Sequence, residues 1–138
     1  MTANNNHIDL RLLFGTDAKA VSEGVEVHLG GPAYITLRPT GQVNRAYAAK
    51  LRELVMRNQT ATGEIYFDAD QALTMELYSL TVATGWRGVA LGAEALEFSP
   101  ANFVRVAREL PKFWEIVRER ANDFALFRLR EAEQMGKQ

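Results

Sequence analysis

Side chains that could bind a metal or act as an acid, base or nucleophile are few in this chain. Its two histidines are His7, near the N-terminus, and His28, inside a predicted strand, which is too few for a zinc site. The serines Ser22, Ser79 and Ser99 have no histidine nearby in sequence to act as a base, and no G-x-S-x-G motif is present. We therefore expect no metal centre, no catalytic residue and no bound cofactor.

Two further patterns that could contact a substrate are better explained by structure. The glycines Gly85, Gly88 and Gly92 match neither of the glycine-rich motifs that surround a phosphate group, so they predict turns. The acidic pair Glu115 and Glu119 alternates with arginines, which is typical of a solvated helix surface. These residues favour a protein that binds other proteins over an enzyme. A small enzyme remains an alternative, since catalytic residues can converge from distant positions.

The composition fits one domain that works inside a cell. The chain has 138 residues, 47% of them hydrophobic, which is enough for a single core. Its 16 basic and 17 acidic residues give a net charge of -1, so we expect no nucleic-acid partner. Cysteine is absent, and neither a signal peptide nor a membrane-spanning run is apparent. We expect a single domain over residues 1–138 in a cytoplasm, with no membrane association.

The hydrophobic pattern of the first 40 residues predicts a small antiparallel sheet. Apolar residues alternate with polar ones in three segments, as in half-buried strands: residues 8–14, 24–29 and 33–38. Gly30, Gly31 and Pro32 supply turn chemistry between the second and third segments. We expect one hairpin there and a first strand that joins the same sheet.

The rest of the chain is predicted to be mainly helical, with recognisable helix starts. Asn44 and Ser99 are good N-caps, and Asp68 followed by Gln71 resembles a capping box. Pro111 should break or kink the last helix because it lacks a backbone N–H. The predicted helices cover residues 45–57, 69–84 and 100–132, with a small hairpin or turn near 85–92 and fraying at 1–7 and 133–138. The fold class is therefore α+β, with three to four helices packed on the sheet.

The long C-terminal segment carries an apolar stripe with more aromatic side chains than one helix face needs. Its residues recur every seven positions at Phe103, Leu110, Val117 and Phe124. Most of this stripe is expected to pack in the core. The surplus aromatic residues are candidates for a partner-binding surface that could also cause self-association: Phe113, Trp114 and Phe127.

Three short motifs give the chain a family resemblance. They are a Trp-x-Gly-Val element (Trp86, Gly88, Val89), a Phe-Ser-Pro-x-Asn helix start (Phe98, Ser99, Pro100, then Phe103), and a stretch with Ala121, Asp123 and Phe124. In this order and spacing the chain resembles the tail assembly chaperones of long-tailed bacteriophages. The resemblance covers most of residues 24–127.

The resemblance implies a non-enzymatic chaperone of the bacterial host cytoplasm that is absent from the mature virion. Its implied partners are the tape measure protein, whose long helices it would coat, and the tail tube protein, which it would recruit. A structural head–tail connector or tail completion protein, which would stay in the particle, is the alternative. Trp86 is expected to be buried between the second helix and the helix that begins at Ser99.

Overall fold

The structure is a computed structural model that describes residues 6–58 and 71–129. Seven helices and five strands lie within these residues and are arranged as an α+β fold, which confirms the predicted class. The helices are α1 (Leu10–Phe14), α2 (Ala18–Glu23), α3 (Arg45–Arg57), α4 (Ala72–Thr81), α5 (Pro100–Glu109), α6 (Pro111–Ala121) and α7 (Phe124–Phe127). The strands are β1 (Val25–Gly30), β2 (Ala33–Leu37), β3 (Ala83–Arg87), β4 (Ala90–Leu91) and β5 (Glu94–Ala95).

The main sheet is antiparallel with the strand order β1-β2-β3. The hairpin predicted at Gly30 and Gly31 is confirmed, and both glycines have positive φ angles of 148° and 50°. Such angles suit glycine because it has no Cβ. In the centre of the sheet, Ile35 lies between Val27 and Trp86. The inner face of the sheet therefore presents apolar side chains to the helices.

The prediction of a strand over residues 8–14 is wrong, because this segment contains the short helix α1. The side chain of Asp9 accepts a hydrogen bond from the backbone N–H of Arg11 and so caps α1. Asp17 caps α2 in the same way, through the N–H groups of Lys19 and Ala20. The caps thus favour helices here, although the alternation of apolar residues is also compatible with a strand, because this segment pairs with no strand of the sheet.

The third strand of the sheet comes instead from β3, which begins inside the predicted helix over 69–84 and runs into the turn predicted near 85–92. The predicted helix over 69–84 ends at Thr81, and the chain continues into β3. This helix begins at Ala72 after Gln71, whose φ of 62° is left-handed and whose side chain does not cap it. Asp68, the other half of the predicted capping box, lies outside the described residues. The small hairpin expected near 85–92 is confirmed as β4 and β5.

The helix starts in the second half of the chain are largely as predicted. Ser99 accepts a hydrogen bond from the N–H of Asn102 at 3.0 Å, and Asn44 caps α3 through the N–H of Tyr47. The helix is interrupted at Leu110, directly before Pro111, which confirms the expected break. Extension of this helix to residue 132 is wrong, because α6 ends at Ala121 and Asp123 caps the separate short helix α7.

The core lies between the sheet and the helices α4, α5 and α6. Its members are nearly inaccessible to solvent and include Ile35, Leu37, Val82, Phe103, Trp114 and Val117. The ends of the chain that are predicted to fray lie outside the described residues at 1–5 and 133–138. His7, at the edge of that prediction, is exposed.

Candidate partner-binding site

Trp86, the first residue of the Trp-x-Gly-Val motif, joins the main sheet to the small hairpin. Its indole N–H donates a hydrogen bond to the carbonyl oxygen of Leu96 at 2.9 Å. Its ring meets Phe98 edge-on, with 5.2 Å between the ring centroids, and lies farther from Phe113 at 6.5 Å. The predicted position between two helices is wrong, because Trp86 is half-buried on β3.

Gly88 has a structural reason to be glycine. Its φ is 69°, and a Cβ at this position would overlap the backbone carbonyl oxygen of Pro32 in the β1–β2 turn. The next residue, Val89, accepts a hydrogen bond from the N–H of Leu96 at 2.9 Å. The motif therefore fixes the contact between two hairpins, and its residues act in folding.

The aromatic residues that were predicted to form a docking surface are mostly in the core. Trp114 is 3% exposed and Phe127 is 2% exposed, while Phe113 is half-buried against the core. The indole N–H of Trp114 donates to the side-chain oxygen of Gln71, and its ring meets that of Tyr78 edge-on at 4.9 Å. Phe103, on the same stripe, is fully buried. The expectation that Trp114 and Phe127 are exposed is therefore wrong.

The physical reason for this difference is the break at Leu110. A single straight helix would present its aromatic side chains on one stripe, part of which would face solvent. Two helices joined by a break each turn an apolar side toward the core. The rings of Phe103 and Trp114 consequently meet, with 6.3 Å between their centroids. The surplus of aromatic residues is used in packing.

An exposed apolar surface lies elsewhere, where the two ends of the described chain meet. Phe14, Val43 and Phe124 are 68%, 43% and 42% exposed, and all three line one open cavity of about 340 Å³. We call it the Phe14–Phe124 groove. Phe127 contributes to its wall as a buried residue, and the other lining residues are Thr16, Pro39, Thr40, Ala121 and Asn122.

Hydrogen bonds between distant parts of the sequence hold this groove in shape. The backbone N–H of Asp17 donates to the carbonyl oxygen of Phe127, and that of Leu129 donates to Gly15, both at 2.8 Å. The guanidinium of Arg128 donates to the carbonyl oxygen of Leu12 at 3.1 Å. On the opposite side, the Thr40 hydroxyl donates to the side-chain oxygen of Asn122. These hydrogen bonds connect the segments that carry the exposed rings of Phe14 and Phe124.

Sequence reasoning finds only part of this groove. Phe124 is a motif residue and Phe127 a predicted partner residue, and both line it. Phe14 is missed because its segment is predicted to be a strand, and Val43 because it precedes the Asn44 cap. The available signal is Phe14 itself, an aromatic residue directly before Gly15.

A second depression lies between α4 and α5 and has a volume of about 530 Å³. Leu73, Leu80 and Val104 supply its apolar lining, and Leu80 is 49% exposed. Glu76 and Arg108 bring opposite charges to its rim, and Glu76 is bound by Arg57 at 3.1 Å. It exposes no aromatic ring, so it offers a partner fewer large apolar contacts than the Phe14–Phe124 groove.

Charged and titratable groups do not converge on either surface to form a reactive site. Within residues 6–58 and 71–129, no group of three or more His, Asp or Glu side chains could hold a metal ion. His28 makes a local contact, in which its Nε2 lies 2.9 Å from the carbonyl oxygen of Gly31. A hydrogen bond from Arg87 lowers the pKa of Glu26, and burial raises the pKa of Tyr78. Both shifts have structural causes.

Comparison with known proteins identifies one matching protein family. A family model described as "YdaY prophage protein" matches residues 38–138. No curated protein and no solved structure matches the chain. The matched region contains Val43 and Phe124 of the groove, whereas Phe14 and Thr16 precede it. In the described part of the chain, no helix combines the length and apolar character needed to cross a membrane.

Proposed function

Because the chain belongs to the YdaY prophage protein family, we propose that it acts as a phage tail assembly chaperone that binds the tape measure protein. In this role it would protect the apolar helices of the tape measure protein in the host cytoplasm and help recruit tail tube subunits. The proposal joins the prophage family to the resemblance carried by the motifs around Trp86, Ser99 and Phe124. It involves no catalytic step.

The observation that carries the proposal is the Phe14–Phe124 groove. Large apolar side chains in contact with water are costly unless a partner covers them, and clustered aromatic residues dominate binding energy at interfaces. An amphipathic helix can insert apolar side chains at positions i, i+3 and i+4 into such a groove. A protein that coats a long helical partner needs a surface of this kind.

The nearly neutral charge of the chain also fits a partner held by apolar contacts. With a net charge of -1, long-range electrostatic attraction contributes little to association. Binding should therefore depend weakly on salt concentration. Strong salt dependence is characteristic of binding to nucleic acids, where released counterions drive association.

The test is co-purification of the chain with the tape measure protein of the same prophage. Phe14→Ala and Phe124→Ala remove exposed rings and should leave the core intact, so both variants should fold. Each should weaken binding by about tenfold or more, the usual effect of removing an interface hot spot. Met56→Ala, which removes a 73% exposed side chain from α3 away from the groove, is the matched control.

Three results would contradict the proposal or part of it. Equal recovery of the tape measure protein by all variants would show that the groove is not the binding surface. A wild-type chain that fails to bind the tape measure protein would refute the chaperone assignment itself. Detection of the chain in purified particles, at a fixed number of copies, would favour the head–tail connector or tail completion role.

A further inference from the structure

The strand β1 occupies one edge of the main sheet. The strand order is β1-β2-β3, and in the described residues no strand pairs with the outer side of β1. An edge strand presents backbone N–H and C=O groups that can pair with another chain, and proteins usually protect such edges with proline, lysine or a covering element. β1 has the sequence Val-Glu-Val-His-Leu-Gly, which contains neither proline nor lysine.

The side chains of β1 are complementary to a second copy of the same strand. Residues directly opposite each other in an antiparallel pair point to the same face of the sheet. If two copies pair about a two-fold axis at Val27, Glu26 of each copy lies opposite His28 of the other. Val27 then lies opposite its own counterpart on the apolar inner face. The same axis places Val25 of each copy opposite Leu29 of the other, so it produces two acid–histidine pairs and three apolar pairs.

Contacts within the chain already hold the two polar side chains on the outer face. The carboxylate of Glu26 accepts two hydrogen bonds from Arg87, at 2.8 and 3.0 Å, and keeps lone pairs for a further donor. The ring of His28 stacks on Tyr34, with 4.7 Å between the ring centroids. Nε2 of His28 lies 2.9 Å from the carbonyl oxygen of Gly31, so Nδ1 is the ring atom left to donate to a carboxylate, which it does when the imidazole is doubly protonated.

We propose that two copies of this protein associate through β1, in antiparallel register about Val27, to form one continuous six-stranded sheet. The interaction uses backbone hydrogen bonds along the edge and paired Glu26 and His28 side chains on the outer face. It leaves the Phe14–Phe124 groove out of the interface. The inference rests on the sheet alone, so it stands or fails separately from the chaperone proposal.

Register can be tested by cross-linking because the chain contains no cysteine. Glu26→Cys and His28→Cys chains with different tags are mixed and mildly oxidised. The mixture should give a disulfide-linked heterodimer, since opposite Cβ atoms in a sheet are about 5 Å apart. Each variant alone should link poorly, because like positions lie on the diagonal at about 7–8 Å. The second Glu26–His28 pair stays intact in the heterodimer.

Thr84→Cys is the control, because Thr84 is exposed on β3 and lies on the opposite edge strand. The proposal would be overturned if Thr84→Cys chains linked to each other as efficiently as the mixed Glu26→Cys and His28→Cys chains do. It would also be overturned if the mixed chains did not link. Efficient linking of Glu26→Cys to itself would overturn the register about Val27.

Association can be measured independently by light scattering over a range of protein concentrations. The wild-type chain should reach twice the mass of one chain. His28→Glu places like charges opposite each other twice and should raise the dimer dissociation constant about tenfold or more. Thr84→Glu adds the same charge far from the interface and should leave it unchanged. A wild-type chain that stays monomeric, or equal dissociation constants for the two variants, would refute the proposal.

Discussion

Replacing Gly88 by alanine tests whether the Trp-x-Gly-Val motif is needed for a close backbone contact. Alanine at a φ of 69° should cost about 1–2 kcal/mol, because an L-residue is strained in the left-handed region. The new Cβ would also overlap the carbonyl oxygen of Pro32, which is backbone and cannot rotate away. This overlap is relieved only if the two hairpins move apart, which should lower the free energy of unfolding by roughly 1–3 kcal/mol more, as at other overpacked sites. The total loss of unfolding free energy is then about 2–5 kcal/mol.

Gly92 provides a matched control in the next turn. Its φ is 60°, so alanine there has nearly the same backbone strain, but apart from Gly92 and its two chain neighbours no heavy atom lies within 4 Å of the position that its Cβ would take. Urea unfolding of both variants gives two free-energy losses whose difference isolates the contact with Pro32. We expect Gly92→Ala to lose only about 1–2 kcal/mol. Equal losses in the two variants would refute the argument that close approach, and not φ alone, requires glycine at position 88.

Four other substitutions test the remaining structure. Asn44→Asp keeps the oxygen that caps α3 but loses the N–H donors to the buried carbonyl oxygens of Pro39 and Thr81. It should lower the free energy of unfolding in urea by about 2–4 kcal/mol, and an unchanged free energy would contradict this. Trp114→Ala should cost about 3–5 kcal/mol and Phe124→Ala less than about 1 kcal/mol, and reversed values would contradict the assigned burial. Because burial raises the pKa of Tyr78 above its ordinary value of 10.0, the stability that its neutral hydroxyl contributes should be present in full below pH 10 and be lost as the pH rises above 10. Tyr78→Phe should reduce this loss of stability at high pH. Identical profiles of unfolding free energy against pH for Tyr78→Phe and the wild type would show that Tyr78 is not its cause.

Features that depend on neighbouring residues in the chain are predicted well. The hairpin at Gly30 and Gly31, the caps Asn44 and Ser99, and the break before Pro111 follow from backbone angles and from hydrogen bonds over a few residues. These local energies differ little between one fold and another. The sequence could therefore place most elements and the α+β class.

Features that depend on distant neighbours are predicted poorly. Residues 8–14 alternate as a strand would, but they pair with neither edge of the sheet; the segment forms α1, and its Leu12 carbonyl oxygen accepts a hydrogen bond from Arg128, next to α7. A strand is stable only with a partner, and the alternation of side chains does not say which segment will be that partner.

The sequence by itself determined the α+β class, the helix starts at Asn44 and Ser99, and the motifs around Trp86, Ser99 and Phe124. Tertiary structure decided which aromatic residues remain exposed. Trp114 is buried because the helix break at Leu110 turns α6 onto the core, and Phe127 is buried on the separate helix α7, whereas Phe14 and Phe124 stay in contact with water. Exposure depends on which surfaces meet in three dimensions, and the Phe14–Phe124 groove is built from segments near opposite ends of the described chain. No local pattern in the chain contains that information.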